Sequence, residues 1–405
     1  MTAASRIAHP RRVALVVHAS VPGDPRIRRQ ADALLAGGYE VDVFALRDPG
    51  QSPEESAEGL RIVRLPVRRR FASFAGHLAE YLAFTGAATL RLTRDHRRRR
   101  YAVVQVATLP DFLAFAASAL KLAGVPLLLD LHEDMPAFFD DRFRSPALRP
   151  LRPVIGSLTR ASAAMADAII TVHEPLRQLS LARGVPPEKV TVVMNSPDDR
   201  LFDPARHARR PFQEDGELRL IHHSSLQRIY GLPVAVDAVA QLPSEMEVRL
   251  EVYGDGPYRS QVEDEIVRLN AEDRVTLHGR VPMEELPGLL AGSDLAVVPS
   301  LPEPYMHYSL STKLLEAVAM GVPVIASDLA TFRSHFSEAA IRYVPGGDAG
   351  AMASAIREMA ADPGGAAHQA AEARRQAEPY AWPIQAGRYL EVVDRLANRS
   401  GRYGA

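Results

Sequence analysis

Lys313 and Glu316 stand three residues apart in His307-Tyr-Ser-Leu-Ser-Thr-Lys-Leu-Leu-Glu-Ala-Val-Ala-Met-Gly-Val-Pro-Val-Ile-Ala-Ser327, which reads as loop, helix, glycine stop and buried strand. Lysine is scarce in this chain. Lys121, Lys189 and Lys313 are the only three, against many arginines. A cation in the first turn of a helix opposes the helix dipole, at a cost of roughly a few tenths of a kcal/mol. An anion such as a phosphate, lying between that cation and the free N–H groups of the helix start, removes the cost. Glu316 projects from the same helix face. The alternative is a local Lys313–Glu316 pair without a ligand, and spacing alone leaves both open.

Other candidates cluster where strand patterns end. Gly254-Asp-Gly256-Pro257 is a tight strand-to-helix turn that lets a ligand approach the backbone. It lacks the third glycine of a dinucleotide fingerprint. Ser224-Ser-Leu-Gln-Arg-Ile-Tyr-Gly231 places Arg228 at the end of a central strand, either as a diphosphate ligand or as an exposed loop arginine. Leu129-Asp-Leu-His-Glu-Asp134 closes a buried strand with His132, Glu133 and Asp134. Adjacent side chains at a strand end diverge, which argues against a metal and for a single histidine or carboxylate facing a ligand. Further strand ends bring His18–Asp24, Asn195 and Gly279-Arg280-Val281-Pro282, and His18 taken alone reads as structural. Neither a Gly-Lys-Ser/Thr phosphate loop nor a nucleophile signature is present. Phosphate-site candidates in one half and acid/base candidates in the other suit transfer of a group from a nucleotide.

Short apolar runs alternating with helical patterns must position these residues. Val13–Val17, a helix over Ile27–Ala36, the Gly37-Gly38 stop and Val41–Ala45 open the series. Tyr101–Val106, a helix over Asp111–Leu122 and Pro126–Leu131 continue it, and Ala168–Val172, a helix over Glu174–Ala182 and Val190–Met194 close it. The rhythm predicts a parallel, doubly wound sheet. A second series runs from Leu218–His222 through Val248–Tyr253, Val275–Leu277 and Leu295–Val298 to Val322–Ala326. The expected fold is α/β, with two doubly wound Rossmann-like domains facing each other across a cleft at their strand ends. The domains are residues 1–196 and 217–379, joined by a polar, proline-rich linker at 197–216. A helical tail, 380–405, is expected to pack back on the first domain, and the Ala-rich run near 361–377 to form an exposed helix.

Composition narrows the function classes. A chain of 405 residues suits two ordinary domains. The absence of cysteine excludes disulfides and thiolate chemistry. Val13–Val17 is too short for a signal segment, and Lys121, Gly124 and Pro126 split the apolar stretch Phe112–Leu129, so no membrane span is expected. The overall charge of −1 hides an asymmetry: residues 1–200 hold 28 Lys and Arg against 21 Asp and Glu, net +7, and the remainder is net −8. Arg68-Arg-Arg70 and Arg97–Arg100 either face anionic lipid or an acidic acceptor, or form a solvated surface. With the amphipathic pattern of Phe74–Leu92, they lean towards an acceptor at a membrane surface.

Pro25-Arg-Ile-Arg-Arg29 followed by Gly38-Tyr-Glu-Val41, Asp130-Leu-His-Glu133, Val193-Met-Asn195, Gly254-Asp-Gly-Pro257, Gly279-Arg-Val-Pro282 and the Lys313–Ser327 block together resemble one family. These motifs, in this order over almost the whole chain, resemble the family-4 retaining glycosyltransferases of the GT-B fold, the bacterial group 1 glycosyltransferases. The resemblance implies an acceptor-binding first domain and a second domain that holds a nucleotide sugar. It puts Glu316 on the ribose hydroxyls, Lys313 and the amides of Ser311 and Thr312 at the diphosphate, and Arg280 and Val281 against the nucleobase. Arg228 reaches the diphosphate and His132 sits by the donor sugar, making His132, Lys313 and Arg228 the catalytic set. Tyr308, Ser309, Gly254 and Asn195 complete the donor contacts, and Gly23 and Asp24 border the acceptor.

The reaction so implied is sugar transfer from an NDP-sugar to a hydroxyl of a glycan, lipid-linked or small-molecule acceptor, with retained anomeric configuration. No metal and no cofactor beyond the NDP-sugar co-substrate are expected. Nor is a nucleic-acid partner. The expected place is the cytoplasm, in polysaccharide or glycoconjugate synthesis, with peripheral contact to the inner face of the membrane through the basic first domain. Two departures stand out. Many members carry a sugar-binding glutamate where Tyr308 stands, and the usual Gly-Arg and Lys of the 224–231 turn are replaced by Ser224-Ser225 and Tyr230. Two rival readings follow, a GT-B sugar-nucleotide epimerase working through Glu133, Asp134 or Glu303, and a catalytically degenerate GT-B subunit.

Overall fold

Parallel strands need cover on both faces, and this chain supplies it twice. The computed structural model describes residues 11–21, 24–69, 73–143 and 145–400. One compact unit comprises the described residues up to Asn195 together with those from Gln385 onward, and the other spans Ser196–Ile384.

The first unit runs β1 (Arg12–Ser20), α1 (Pro25–Ala36), β2 (Glu40–Leu46), β3 (Glu54–Ala57), β4 (Leu60–Leu65), α2 (Phe74–Arg99) and β5 (Tyr101–Ala107). It continues with α3 (Ser118–Leu122), β6 (Leu127–Leu131), α4 (Met135–Arg142), α5 (Arg152–Met165), β7 (Ala168–Thr171), α6 (Glu174–Ala182) and β8 (Val190–Val192). The sheet order is β3-β4-β2-β1-β5-β6-β7-β8. It is parallel except at its edge, where β3 lies antiparallel to β4. The expected all-parallel sheet therefore carries an extra hairpin. All four β3 residues are exposed, so no apolar run announced the strand. Ion pairs hold it instead, Glu54 with Arg61 at 2.5 Å and Glu55 with Arg64 at 2.8 Å.

Local chemistry sets the helix starts. Asp24 accepts the Arg26 N–H ahead of Pro25, a side-chain cap followed by proline at the first helical position. The single helix expected over Asp111–Leu122 is a 3₁₀ stretch, Asp111–Ala117, that passes into α3. Thr159 Oγ1 donates to the Asp111 carboxylate at 2.6 Å and Ser162 Oγ to its carbonyl at 2.8 Å, which pin this turn to α5.

The second unit runs β9 (Leu218–His223), α7 (Leu232–Ala240), β10 (Val248–Tyr253), α8 (Arg259–Arg268), β11 (Val275–Gly279), α9 (Leu286–Ala291), β12 (Leu295–Val298) and α10 (Thr312–Ala319). Then follow β13 (Val324–Ser327), α11 (Ala330–Arg333), β14 (Arg342–Val344), α12 (Ala349–Ala361) and α13 (Pro363–Ala377), while α14 (Trp382–Ser400) belongs to the first unit from Gln385 onward. The sheet order is β11-β10-β9-β12-β13-β14, all parallel, with its direction of growth reversing between β9 and β12. Two sequence expectations need correction here. Residues 197–216 are not a free linker: fully buried Asp294 accepts from Arg210 Nη1 at 2.7 Å and from the Gln213 N–H at 3.1 Å, which ties the segment to the second unit. The Ala-rich helix α13 is not simply exposed, because Ala366, Ala370 and Ala373 form a buried stripe.

The tail was expected from residue 380, whereas the chain rejoins the first unit at Gln385. Gln385 Oε1 accepts the Met194 N–H at 2.9 Å, and fully buried Tyr389 donates its hydroxyl to Gln105 Oε1 at 2.6 Å.

Gly254, at the end of β10, has φ of 141°, and a Cβ built there would lie 1.8 Å from the Ser224 carbonyl oxygen. Gly254→Ala is expected to destabilise the second unit by at least about 3 kcal/mol, since steric overlap adds to backbone strain. Denaturant unfolding measures it, and an unchanged midpoint would refute the close approach.

Candidate functional site

In doubly wound sheets ligands bind beyond the carboxyl ends of the strands, where the strand order reverses. The second unit has a cavity of about 450 Å³ at that place, reached by His223 and Ser224 after β9, Gly254 and Asp255 after β10, Arg280 and Val281 after β11, and the start of α10.

Lys313 defines its chemistry. The residue is only 7 % exposed. No carboxylate lies within ion-pair distance of its ammonium among the described residues, so the local Lys313–Glu316 salt bridge does not form. The ammonium instead rests 3.7 Å above the Tyr230 ring, an attraction between cation and ring face. Burial lowers the Lys313 pKa to about 7, with the Glu316 charge pulling weakly the other way. Glu316 meets His223, whose Nε2 lies 2.7 Å from Oε2. His222 faces the other way and stays neutral. Its Nδ1 lies 2.9 Å from the Val297 carbonyl, which can only accept, so Nδ1 donates there and Nε2 accepts a hydrogen bond from the Ser224 hydroxyl at 2.8 Å. Burial, and then the Lys313 charge, lower the His222 pKa to about 3.

Of the expected donor residues, Gly254, Arg280, Val281, Thr312, Lys313 and Glu316 line this cavity. Tyr308, Ser309, Ser311 and Arg228 do not. Tyr308 ends a 3₁₀ turn, Pro304–Tyr308, and Ser311 stands at the N-cap position of α10, where its buried hydroxyl makes no hydrogen bond among the described residues. Arg228, expected at the diphosphate, lies 2.8 Å from Glu303, which also occupies one of the carboxylates considered for epimerase chemistry. Sequence reasoning missed His223 as a cavity residue and treated Tyr230 only as a departure. The strand period was the available signal: after an inward His222, the next side chain at the strand end must face the other way.

In the first unit His132 follows β6 and is 8 % exposed. Its backbone N–H donates to Thr108 Oγ1 at 3.1 Å, and its ring Nε2 lies 3.0 Å from Asp130 Oδ2. That carboxylate also accepts from Gln30 at 2.7 Å and Gln105 at 3.1 Å. Asn195 Oδ1 accepts from Arg29 Nη2 at 2.5 Å, so two of the sequence motifs meet here. Asp134 caps α4 and pairs with Arg183. Asp24 is similarly committed: burial works against its charge, but the Arg26 guanidinium, paired at 2.7 Å, holds its pKa below the ordinary carboxyl range. Its charge is thus already matched at the start of α1. Gly23 lies outside the described residues. His18, read as structural, packs edge-on to Tyr81 and Phe84, and burial lowers its pKa to about 4. Among the described residues no group of three or more His, Cys, Asp or Glu is placed to hold a metal. No described helix is long and apolar enough to cross a membrane.

Comparison with known proteins adds independent findings. Residues 23–196 match the Glycosyl transferase 4-like domain and residues 217–362 the Glycosyl transferases group 1 family. The chain is 27 % identical over 320 residues to 2-deoxystreptamine glucosyltransferase of Streptomyces kanamyceticus, covering 74 % of this chain and 79 % of that protein. It is 25 % identical to 2-deoxystreptamine N-acetyl-D-glucosaminyltransferase of Streptomyces fradiae, covering 91 % and 88 %. Sucrose-phosphate synthase from Thermosynechococcus elongatus superimposes with a TM-score of 0.78 at 21 % identity, over 95 % of this chain and 99 % of that one. Anabaena HepE, solved with UDP-glucose, does so with a TM-score of 0.69 at 18 % identity, over 95 % and 99 %. At such identities the structures speak for the fold alone, which is GT-B.

Two pH effects are expected. Above about pH 7 an anion binding at Lys313 must bring a proton with it, so affinity for a nucleoside diphosphate should fall by up to roughly tenfold per pH unit. Lys313→Met should bind a nucleoside diphosphate weakly and lose that slope; titration calorimetry in two buffers measures both, and a pH-independent wild type would remove the anion from Lys313. Burial raises the Asp111 pKa to about 7, despite the Thr159 hydrogen bond. With a folded pKa above the unfolded one, its contribution is full below about pH 4 and is lost as pH rises through 7. Asp111→Asn should therefore flatten the decline in melting temperature between about pH 4 and 7, as followed by calorimetry. An equal decline in both proteins would show that Asp111 is already ionised when folded.

Proposed function

Because this chain belongs to the family-4, group 1 glycosyltransferases of the GT-B fold, we propose that it is a retaining, metal-independent hexosyltransferase acting on NDP-sugars. The transfer goes to a hydroxyl of a glycan, lipid-linked or small-molecule acceptor. One observation carries this reading: a dry ammonium, without a carboxylate partner among the described residues and at a helix start, shares one cavity wall with Glu316.

In this mechanism the bond from the anomeric carbon to the diphosphate oxygen breaks, and its electron pair leaves with the NDP. Charge grows on that oxygen. Lys313 and the free N–H groups at the start of α10 meet it, a preorganised stabilisation that a divalent cation would otherwise supply. Glu316, steadied through His223, accepts the ribose hydroxyls, and Arg280 and Val281 flank the base. The acceptor hydroxyl attacks the face the diphosphate leaves, so configuration is kept, and its proton passes to the departing phosphate oxygen. In the first unit we assign His132 to the sugar-transfer step, with its backbone N–H held by Thr108 and its ring Nε2 3.0 Å from Asp130. The place of action we assign is the cytoplasm.

The test is a panel of NDP-sugars, beginning with UDP-glucose, with release of nucleotide diphosphate followed with and without chelator. Lys313→Ala should lower release by about 10²-fold or more, and chelator should leave it unchanged. Unchanged release in the variant would overturn the diphosphate assignment. Binding without release under any acceptor would favour a non-catalytic subunit, and sugar inversion with the nucleotide retained would favour an epimerase.

A further inference from the structure

A second cavity, of about 250 Å³, lies wholly within the first unit, between the start of α2, the turn after β5, α4 and α5. Its walls are ring and hydrocarbon surface. Phe74, Phe139 and Phe143 form a triangle of rings, with centroids 5.2 to 5.8 Å apart, that builds one side. An apolar cavity of about 150 Å³ already stays dry and takes up a benzene ring, so this one favours a hydrocarbon guest over water.

Its position connects it to the candidate chemistry. Leu109, in the wall, follows Thr108, whose hydroxyl oxygen accepts the His132 N–H at 3.1 Å. Met135, also in the wall, comes three residues after His132, and its sulfur accepts the Asp111 N–H at 3.4 Å. The cavity is thus built on the two strand-end turns that place His132, at the sheet edge where ligands bind. Its other end is open. Leu78 and Val154 line it yet are 37 % and 55 % exposed, and Leu82, one turn along α2, is 56 % exposed. The apolar wall therefore extends from the His132 turns, at Leu109 and Met135, to an exposed mouth at Leu78 and Val154. Arg142, at the end of α4, is exposed at this end and close enough to lower the His77 pKa together with burial.

We propose that this cavity holds the hydrocarbon chain of an amphiphilic acceptor, whose hydroxyl-bearing head lies at the His132 turn and whose chain leaves past Leu78 and Val154. The inference rests on the transferase reading and narrows its acceptor class. Neither a free sugar nor a polar oligosaccharide would use these walls.

The probes are n-alkyl β-D-glucosides of increasing chain length, each below its micelle concentration, with methyl glucoside as control. Binding is followed by calorimetry, and NDP release by the assay above. Affinity should rise about tenfold for every two methylenes added until the cavity is filled, and methyl glucoside should not compete. Val154→Asp at the exposed mouth and Leu158→Trp, which fills the cavity, should each abolish the chain-length dependence. Circular dichroism and the thermal unfolding of the first unit should match the wild type, which shows that the variants fold, and UDP affinity in the second unit should stay unchanged.

Chain-length dependence that persists in both variants would place the chain elsewhere and overturn the proposal. So would binding to phosphatidylglycerol vesicles, or self-association, that Val154→Asp abolishes while monomeric glucosides fail to bind. NDP release with polar acceptors but no response to chain length would remove the cavity from catalysis and leave the transferase reading intact. Chain binding without NDP release from any donor would instead defeat the transferase reading, and with it the role of the cavity as an acceptor site.

Discussion

The second unit is organised around an ammonium held out of water. Removing a lysine head from solvent is costly unless its charge is matched, and Lys313 has only a ring face beneath it. The protein keeps Lys313 dry by building its surroundings from the strand ends. Tyr230 comes from the turn after β9, Gly254 packs against the Ser224 backbone where no side chain fits, and the neutral His222 adds no competing charge. A carboxylate beside Lys313 would have satisfied the charge and closed the site. Glu316 is nearby but directed to His223, which leaves the cation for a ligand.

The first unit solves a different problem. Its central strands carry Gln105 and Asp130 into the interior, and α1 adds Gln30. Tyr389 from the tail completes this buried set, in which every polar group named has a partner. A buried polar network is stable only when satisfied throughout. Tail docking is therefore part of the foundation beneath His132, not an ornament at the end of the chain. The same Asp130 oxygen that the glutamines hold lies against the His132 ring, so the position of a candidate catalytic group depends on a helix some two hundred and fifty residues later in sequence.

Much of the fold was legible because parallel strands are covered on both faces and so appear as uninterrupted apolar runs between helical patterns. Val13–Val17, Tyr101–Val106 and Leu295–Val298 are such runs, and each lies within an observed strand. The β3–β4 hairpin was not legible, since β3 is held by ion pairs and shows no apolar period. Neither was the tightening of Asp111–Ala117 into a 3₁₀ turn, because hydroxyls from α5 impose it. In the candidate site, glycine turns and the Lys313–Glu316 spacing were readable from local rules. The capture of Arg228 by Glu303 was not, because it joins residues seventy-five positions apart.

The sequence by itself determined the two βαβ series, the strand ends where chemistry collects, and the unusual lysine at a helix start. These are local facts, set by periodicity, capping and the few residues that tolerate a tight turn. Tertiary structure alone decided which charges are already spent. It pairs Arg228, Asp24 and Asp134, leaves Lys313 without a carboxylate among the described residues, turns Glu316 to His223, and hollows an aromatic cavity on the turns that flank His132. The reason is physical. Whether a charge is free or neutralised depends on burial and on distances across the fold, and neither is written in the spacing of residues along the chain.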